Sequence, residues 1–196
     1  MTQPQKPAQA ELVEAPSSEE VIAFWREAGP AKWYAKDQTF DAEIRVRFEP
    51  AHQAAARGEL ADWETDSKGA LALLILLDQF PRNLFRGSAH QFATDPLARR
   101  ITHAALAAGL DRHCDEDLRV FYYLPLEHSE ELADQDRCVE LCQALDTASG
   151  SDWARWARLH RDIIQRFGRF PHRNASLGRT STNEEQEFLD QGGFSG

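Results

Sequence analysis

Apolar residues along this chain recur at intervals of three and four, with Gly or Pro closing the runs, and they almost nowhere alternate with the period of two that marks strands. The pattern predicts an all-α fold. Ser17 and Glu20 form a capping box ahead of Val21, Phe24 and Trp25, and Gly29-Pro30 closes that helix. A second helix is expected from about Asp41 to Arg57, stopped by Gly58, with Pro50 kinking it or dividing it in two. Ser67 or Thr65 is the expected cap of the helix holding Ala70 to Leu77. That run is apolar around its whole circumference, so the helix belongs at the centre of the fold. Thr94-Asp95-Pro96 starts a helix whose stripe of Leu97, Ile101, Ala104, Ala105 and Ala108 ends at Gly109. Further helices are expected over about Asp115 to Leu124, Glu130 to Thr147, and Asp152 to Phe167 after a Ser151 cap, with a last short one from Thr182 and Glu185.

Most connections are brief. The exceptions, residues 80–93 and 168–181, are long for a compact helical domain, and such loops are often functional. With 196 residues and 42% hydrophobic content the chain can bury one sizeable core, and no composition break divides it. The expected organisation is a disordered tail over residues 1–16, one all-helical domain over 17–190, and a flexible tail over 191–196. The N-terminal stretch matches neither a secretory signal nor an Arg-rich transit peptide. An apolar run of eight residues, Ala70 to Leu77, is far short of the ~20 that span a bilayer, so no membrane crossing is expected. Three cysteines without a CxxC pair read as small core residues in a reducing, cytoplasmic setting.

A net charge of -10 opposes non-specific attraction to nucleic acid or anionic lipid, so an anionic partner needs a local pocket. The charge reverses locally. Five arginines and two histidines fall between His160 and Thr182, and a second polar segment, Asp78 to Arg86, follows the apolar run. Arg82, Asn83 and Arg86 lie at near-helical spacing, as do Arg169, His172, Arg173 and Asn174 around Pro171. Guanidinium forks fit phosphate or carboxylate, and Asn adds a neutral donor and acceptor, so the two segments read as halves of one anion clamp. Against this stands the reading in which these arginines only neutralise neighbouring acids.

Asp78, at the end of an apolar helix, is either half of a buried Asp–Arg pair or a general base or orienter of a histidine. His128, after the helix-breaking Pro125 and beside Glu127, Glu130 and Glu131, has the chemistry of a general acid or base. A helix-starting loop accounts for the same letters. His160 shares an inward stripe with Trp153, Ala157, Ile164 and Phe167 and reads as a core histidine. Glu49 and His52 make one Glu-x-x-His without a second copy, so no metal is expected, and the sequence calls for no cofactor. Lys32-Trp33-Tyr34 is expected to be a loop, with a weaker case for binding.

The strings LLILLDQFPRNLFRG, FATDP, FYYLPLEHSE and HRDIIQRFGRFPHRNASLGR, in this order over most of residues 20–190, closely resemble the bacterial family catalogued as domain of unknown function 924. That resemblance implies a single-domain antiparallel helical array, a tetratricopeptide-like α–α superhelix around the apolar central helix. It implies no reaction. Three classes of function remain: binding of a small anionic molecule, acid–base catalysis on such a molecule, and capture of an acidic peptide in a tetratricopeptide-like groove. Oligomeric state is not legible.

Overall fold

In the computed structural model the described residues are 16–195, so the expected tail over 1–16 lies, save Pro16, outside them. The described chain is all-α: α1 (Ser18–Ala28), α2 (Pro30–Trp33), α3 (Gln38–Ala56), α4 (Ser67–Leu74), α5 (Phe80–Leu84), α6 (Asp95–Ala107), α7 (Glu116–Arg119), α8 (Leu124–Glu127), α9 (Leu132–Ser149), α10 (Trp153–Phe167) and α11 (Asn183–Asp190), with short 3-10 turns between them. Helix α4 is the hub. Every residue from Ala70 to Leu77 is buried, and α1, α3 and α6 pack around the segment. The core beside it is aromatic, with Trp25 stacked on Trp33 at 6.0 Å and meeting Phe80 and Phe121 edge-on.

Local signals place most helix ends. Ser17 accepts from the Glu20 amide while Glu20 reaches back to the Ser17 amide, and Thr182 and Glu185 repeat the arrangement at α11. Other ends depart from expectation. Asp66, not Ser67 or Thr65, caps α4 by accepting from the Gly69 amide at 3.0 Å. Gly69 is required there, because a Cβ would run into the Trp63 carbonyl. The start of α10 is capped from across the hairpin. Asp146 of α9 accepts from the Trp153 and Ala154 amides at 2.8 Å each, while Ser151 donates to the same carboxylate.

Pro50 neither ends nor divides α3, which runs unbroken from Gln38 to Ala56. The carbonyl it deprives of a partner belongs to Val46, whose residue is 82% exposed, so the lost bond falls on the solvent face, where it costs least. The helix expected over Asp115 to Leu124 is instead a chain of short pieces, α7, a 3-10 turn at Val120–Tyr122, and α8. Lys32 and Trp33 lie in α2 instead of a loop, with Trp33 buried and its Nε1 donating to the Trp25 carbonyl at 2.6 Å. The central helix does not stop at Asp78 either. A π-helical turn at Ile75–Gln79 carries it into α5, with Pro81 in the first turn of that helix.

Candidate functional site

The π turn sets the geometry of the polar cluster beside the central helix. It inserts an extra residue into that helix and leaves Asp78, 1% exposed, pointing at the loop that ends α8. There His128 Nδ1 lies 2.9 and 3.0 Å from the two Asp78 carboxylate oxygens. An ionised carboxylate only accepts, so Nδ1 carries the proton and Nε2 keeps its lone pair. Gln79 Nε2 also donates to Asp78, at 2.6 Å. Asp78 thus orients a histidine fifty positions away, and Glu127, Glu130 and Glu131 leave that ring nitrogen alone.

Arg82 connects this pair to the second polar segment. It donates to the Asp78 backbone carbonyl, lies 3.4 Å from the Asp78 carboxylate, and meets both oxygens of Asp95 at 3.2 and 3.3 Å. Arg173 reaches the same Asp95 at 3.3 Å, its guanidinium sandwiched between the Phe92 and Phe170 rings at 4.6 and 4.5 Å. Residues 82 and 173 therefore do converge, on an internal carboxylate. Two nitrogens of the same segment, Arg173 Nε and His172 Nδ1, are buried and have no partner. The His160 ring closes the circle, 6.4 Å from His128 and 5.6 Å from Phe170. Phe194, in the segment expected as a flexible tail, packs edge-on against His160 at 4.6 Å and His172 at 5.2 Å.

Glu127, 6% exposed, contributes the least expected chemistry. Its Oε1 is 3.4 Å from His160 Nδ1, which already faces the Trp156 carbonyl at 2.9 Å. Burial, reinforced by the negative charge of Asp78 and only partly opposed by Arg82, pushes the Glu127 carboxyl up to about 8. Asp78 goes the other way. Burial favours its neutral form, but Arg82 and His128 outweigh that and hold it at about 2. Desolvation keeps the histidines neutral: His160 falls to about 3 and His172 to about 4, and His128 also lies below its ordinary value. Arg173, desolvated and close to Arg82, falls to about 10 and stays charged at neutral pH.

The remaining expected site residues are held by the protein's own acids. Asn83 donates to Asp41 at 2.7 Å and Arg86 forks onto the same carboxylate at 2.6 and 3.0 Å. Arg169 forks onto Glu185 at 2.5 and 2.7 Å, and Asn174 bonds Ser181, Glu185 and the Arg179 guanidinium. These four brace the two segments from outside the ring of His128, His160 and His172. Elsewhere, His52 of the Glu-x-x-His is buried with Nδ1 at 2.8 Å from the Leu76 carbonyl, and no cluster of three metal-ligating side chains occurs among the described residues. No helix among the described residues is long and apolar enough to cross a membrane.

A family described as "Bacterial protein of unknown function (DUF924)" matches residues 21–193. The chain belongs to this family. Its fold is also similar to that of a protein of unknown function from Agrobacterium tumefaciens, with a TM-score of 0.84, 48% identity, and coverage of 89% of this chain and 97% of that one. Among curated proteins none matches. The matched span contains Asp78, Arg82, Glu127, His128, His160, His172 and Arg173, so the whole ring except Phe194 lies within the family's extent.

Of the residues expected from the sequence, Asp78, Arg82, His128, His172 and Arg173 lie in this cluster, and Glu127 is expected only as a neighbour of His128. His160, expected as a core residue, is buried, but within the polar ring. Asp95 was legible only as part of a helix start. The one sequence signal for Glu127 is its place beside His128 in Leu-Glu-His; nothing local marks Asp95 or Phe194.

Proposed function

We propose that this protein binds a small phosphate- or carboxylate-bearing molecule between the 78–90 and 168–179 segments and moves a proton on it. The observation that carries the reading is the divergence of two buried carboxyls, Asp78 held at about 2 and Glu127 pushed to about 8. Titratable neighbours driven apart in this way are the hallmark of an acid–base pair, because one site then holds a donor and an acceptor at the same pH. In the proposed site His128 Nε2 is the base, Asp78 its positioning residue, and Glu127 the neutral acid. Arg82 and Arg173 supply positive charge, and the unpartnered Arg173 Nε and His172 Nδ1 are the seats for the anion's oxygens. Arg86, Asn83, Arg169 and Asn174 hold the two segments in place, and no metal or cofactor is invoked.

The test is a panel of small phosphates and carboxylates, read first by melting temperature and then by turnover. A ligand that binds the folded state raises the midpoint by an amount set by RT ln(1 + [L]/Kd). For a ligand that is turned over, Arg173→Met is expected to reduce the shift, whereas His128→Ala is expected to retain it and lose turnover by about 10²-fold or more. Turnover is expected to fall below the lowered His128 value as the base protonates, and above about pH 8 as Glu127 ionises. For a ligand that is turned over, a shift undiminished by Arg173→Met, or turnover indifferent to His128→Ala, removes the assignment.

A second reading, the tetratricopeptide-like capture of an acidic peptide, has one observation in its favour. Trp156 and Leu159 are exposed on α10 next to Arg155 and Arg158, a basic apolar face suited to an amphipathic acidic segment. Acidic peptides then raise the melting temperature, Trp156→Ala removes the effect, and Arg173→Met leaves it intact.

A further inference from the structure

Most arginines of this chain end on a carboxylate. With acids in such excess, an arginine without one is the exception. Among the described residues the exceptions are Arg112, Arg119, Arg155 and Arg158, and the first two line one cleft. That cleft, of about 260 Å³, lies where the end of α6, the 3-10 turn Leu110–His113 and α7 face α9. Leu106, Leu141 and Leu145 give it apolar walls, and Arg137 stands at its edge, tied to Glu140 at 2.9 Å. It shares no residue with the ring around His128.

The Arg119 guanidinium is preset. Its Nη2 donates to the Cys114 carbonyl at 2.9 Å, while its Nε is buried without a partner. Asp111, the carboxylate of the lining, is engaged by the Tyr123 hydroxyl at 3.0 Å, and it forms no ion pair with either arginine. With Arg137 neutralised by Glu140, Arg112 and Arg119 against Asp111 leave the cleft positive on an acidic molecule. Arg119 and Arg112 thus keep guanidinium N–H groups that no carboxylate occupies, and charge-assisted bonds from Arg to an oxyanion are the strong kind.

We propose that this cleft is a second anion site, taking a phosphate or carboxylate head group on Arg112 and Arg119 with a short apolar body against Leu106, Leu141 and Leu145. The volume sits just under the usual range for ligand cavities, roughly 300 to 1,000 Å³, so the guest is a head group with a few carbons and no larger. Phosphate and carboxylate share the chemistry the arginines recognise, and probes of both kinds separate them.

The experiment is calorimetric titration of the full chain with inorganic phosphate, butyl phosphate and hexanoate. Saturable binding of at least one probe is expected, weakened about tenfold or more in Arg112→Gln and in Arg119→Gln, as loss of one charge-assisted bond implies. Arg155→Gln, at an arginine outside both sites, is expected to leave it unchanged. Arg112 is exposed, so its substitution reports on the cleft even where Arg119→Gln disturbs folding. Butyl phosphate binding more tightly than phosphate supports the apolar seat, and equal affinity overturns that part. The absence of saturable binding by all three probes overturns the site, as does binding whose affinity and stoichiometry are unchanged by both cleft substitutions. Binding lost in Arg173→Met alone overturns the cleft while leaving the acid–base reading in place.

Discussion

Asp41 and Asp95 each gather polar side chains from the 78–90 segment, and the results differ. At Asp41 every bond is made: Asn83 and Arg86 take both oxygens, and Arg86 adds the Ala35 carbonyl at 3.0 Å. At Asp95 two arginines compete for one carboxylate, and nitrogens of Arg173 and the adjacent His172 are left without partners. Similar residue types therefore serve a brace in one place and an incomplete, desolvated assembly in the other. The distinction matters because a saturated ion pair has nothing left to offer a ligand, whereas an unsatisfied buried donor has a free-energy reason to take one.

The largest effect that sharpens the contrast is electrostatic. Glu127 ionises near 4.5 when unfolded and at about 8 in the fold, so the native state holds the proton more tightly. That advantage is complete below 4.5 and is lost as pH rises toward 8, at about 1.4 kcal/mol per unit. Glu127→Gln is expected to remove this slope, which urea midpoints at about pH 5 and pH 9 will show as several kcal/mol of relative stabilisation at the higher pH. Parallel profiles for the two proteins would contradict the buried neutral carboxyl.

Breaking the closed side comes next. Asp41→Ala strands Asn83, which is buried, and Arg86, and is expected to cost about 2 kcal/mol in chemical denaturation without altering any anion-induced shift. On the open side, Arg173→Met is expected to cost less than Asp41→Ala, because the methionine chain keeps the contacts with Phe92 and Phe170 while a desolvated charge is removed. A larger loss in Arg173→Met than in Asp41→Ala reverses the comparison.

The smallest expected effect concerns the ring's cover. His172 titrates near 6.5 unfolded and about 4 in the fold, so its contribution is present above pH 6.5 and disappears as pH falls toward 4. Phe194→Ala admits water to His160 and His172, and NMR titration is expected to find both histidines moved back toward the ordinary value. Unmoved titration curves would show that Phe194 does not shield them.

Elements whose signals are local were readable in advance. The capping boxes at Ser17 and Thr182, the burial of Ala70 to Leu77 and the start of α6 at Asp95-Pro96 each depend on residues within one or two turns. Misreadings arose where a partner came from elsewhere or where solvent changed the cost. Asp146 caps α10 from the previous helix, and Pro50 is accommodated on the exposed face of α3, where Val46 is 82% exposed. The site divides in the same way. Asp78 and His128 were both legible as candidates, but the bond between them was not, and Glu127 differs from Glu130 only in its surroundings. Glu130, bound to Arg179 and the Phe170 amide, is held below its ordinary value despite partial burial; Glu127 has no such donors.

By itself, the order of amino acids determined that this chain is helical, where most helices begin, and which of them lies at the centre, since these follow from hydrogen bonds and apolar periodicity spanning a few residues. Only the tertiary structure decided which arginines are spent and which retain free donors, and which of two carboxyls keeps its proton. Long polar side chains find partners irrespective of sequence distance, and a pKa reports the summed burial and charge of everything packed around the group.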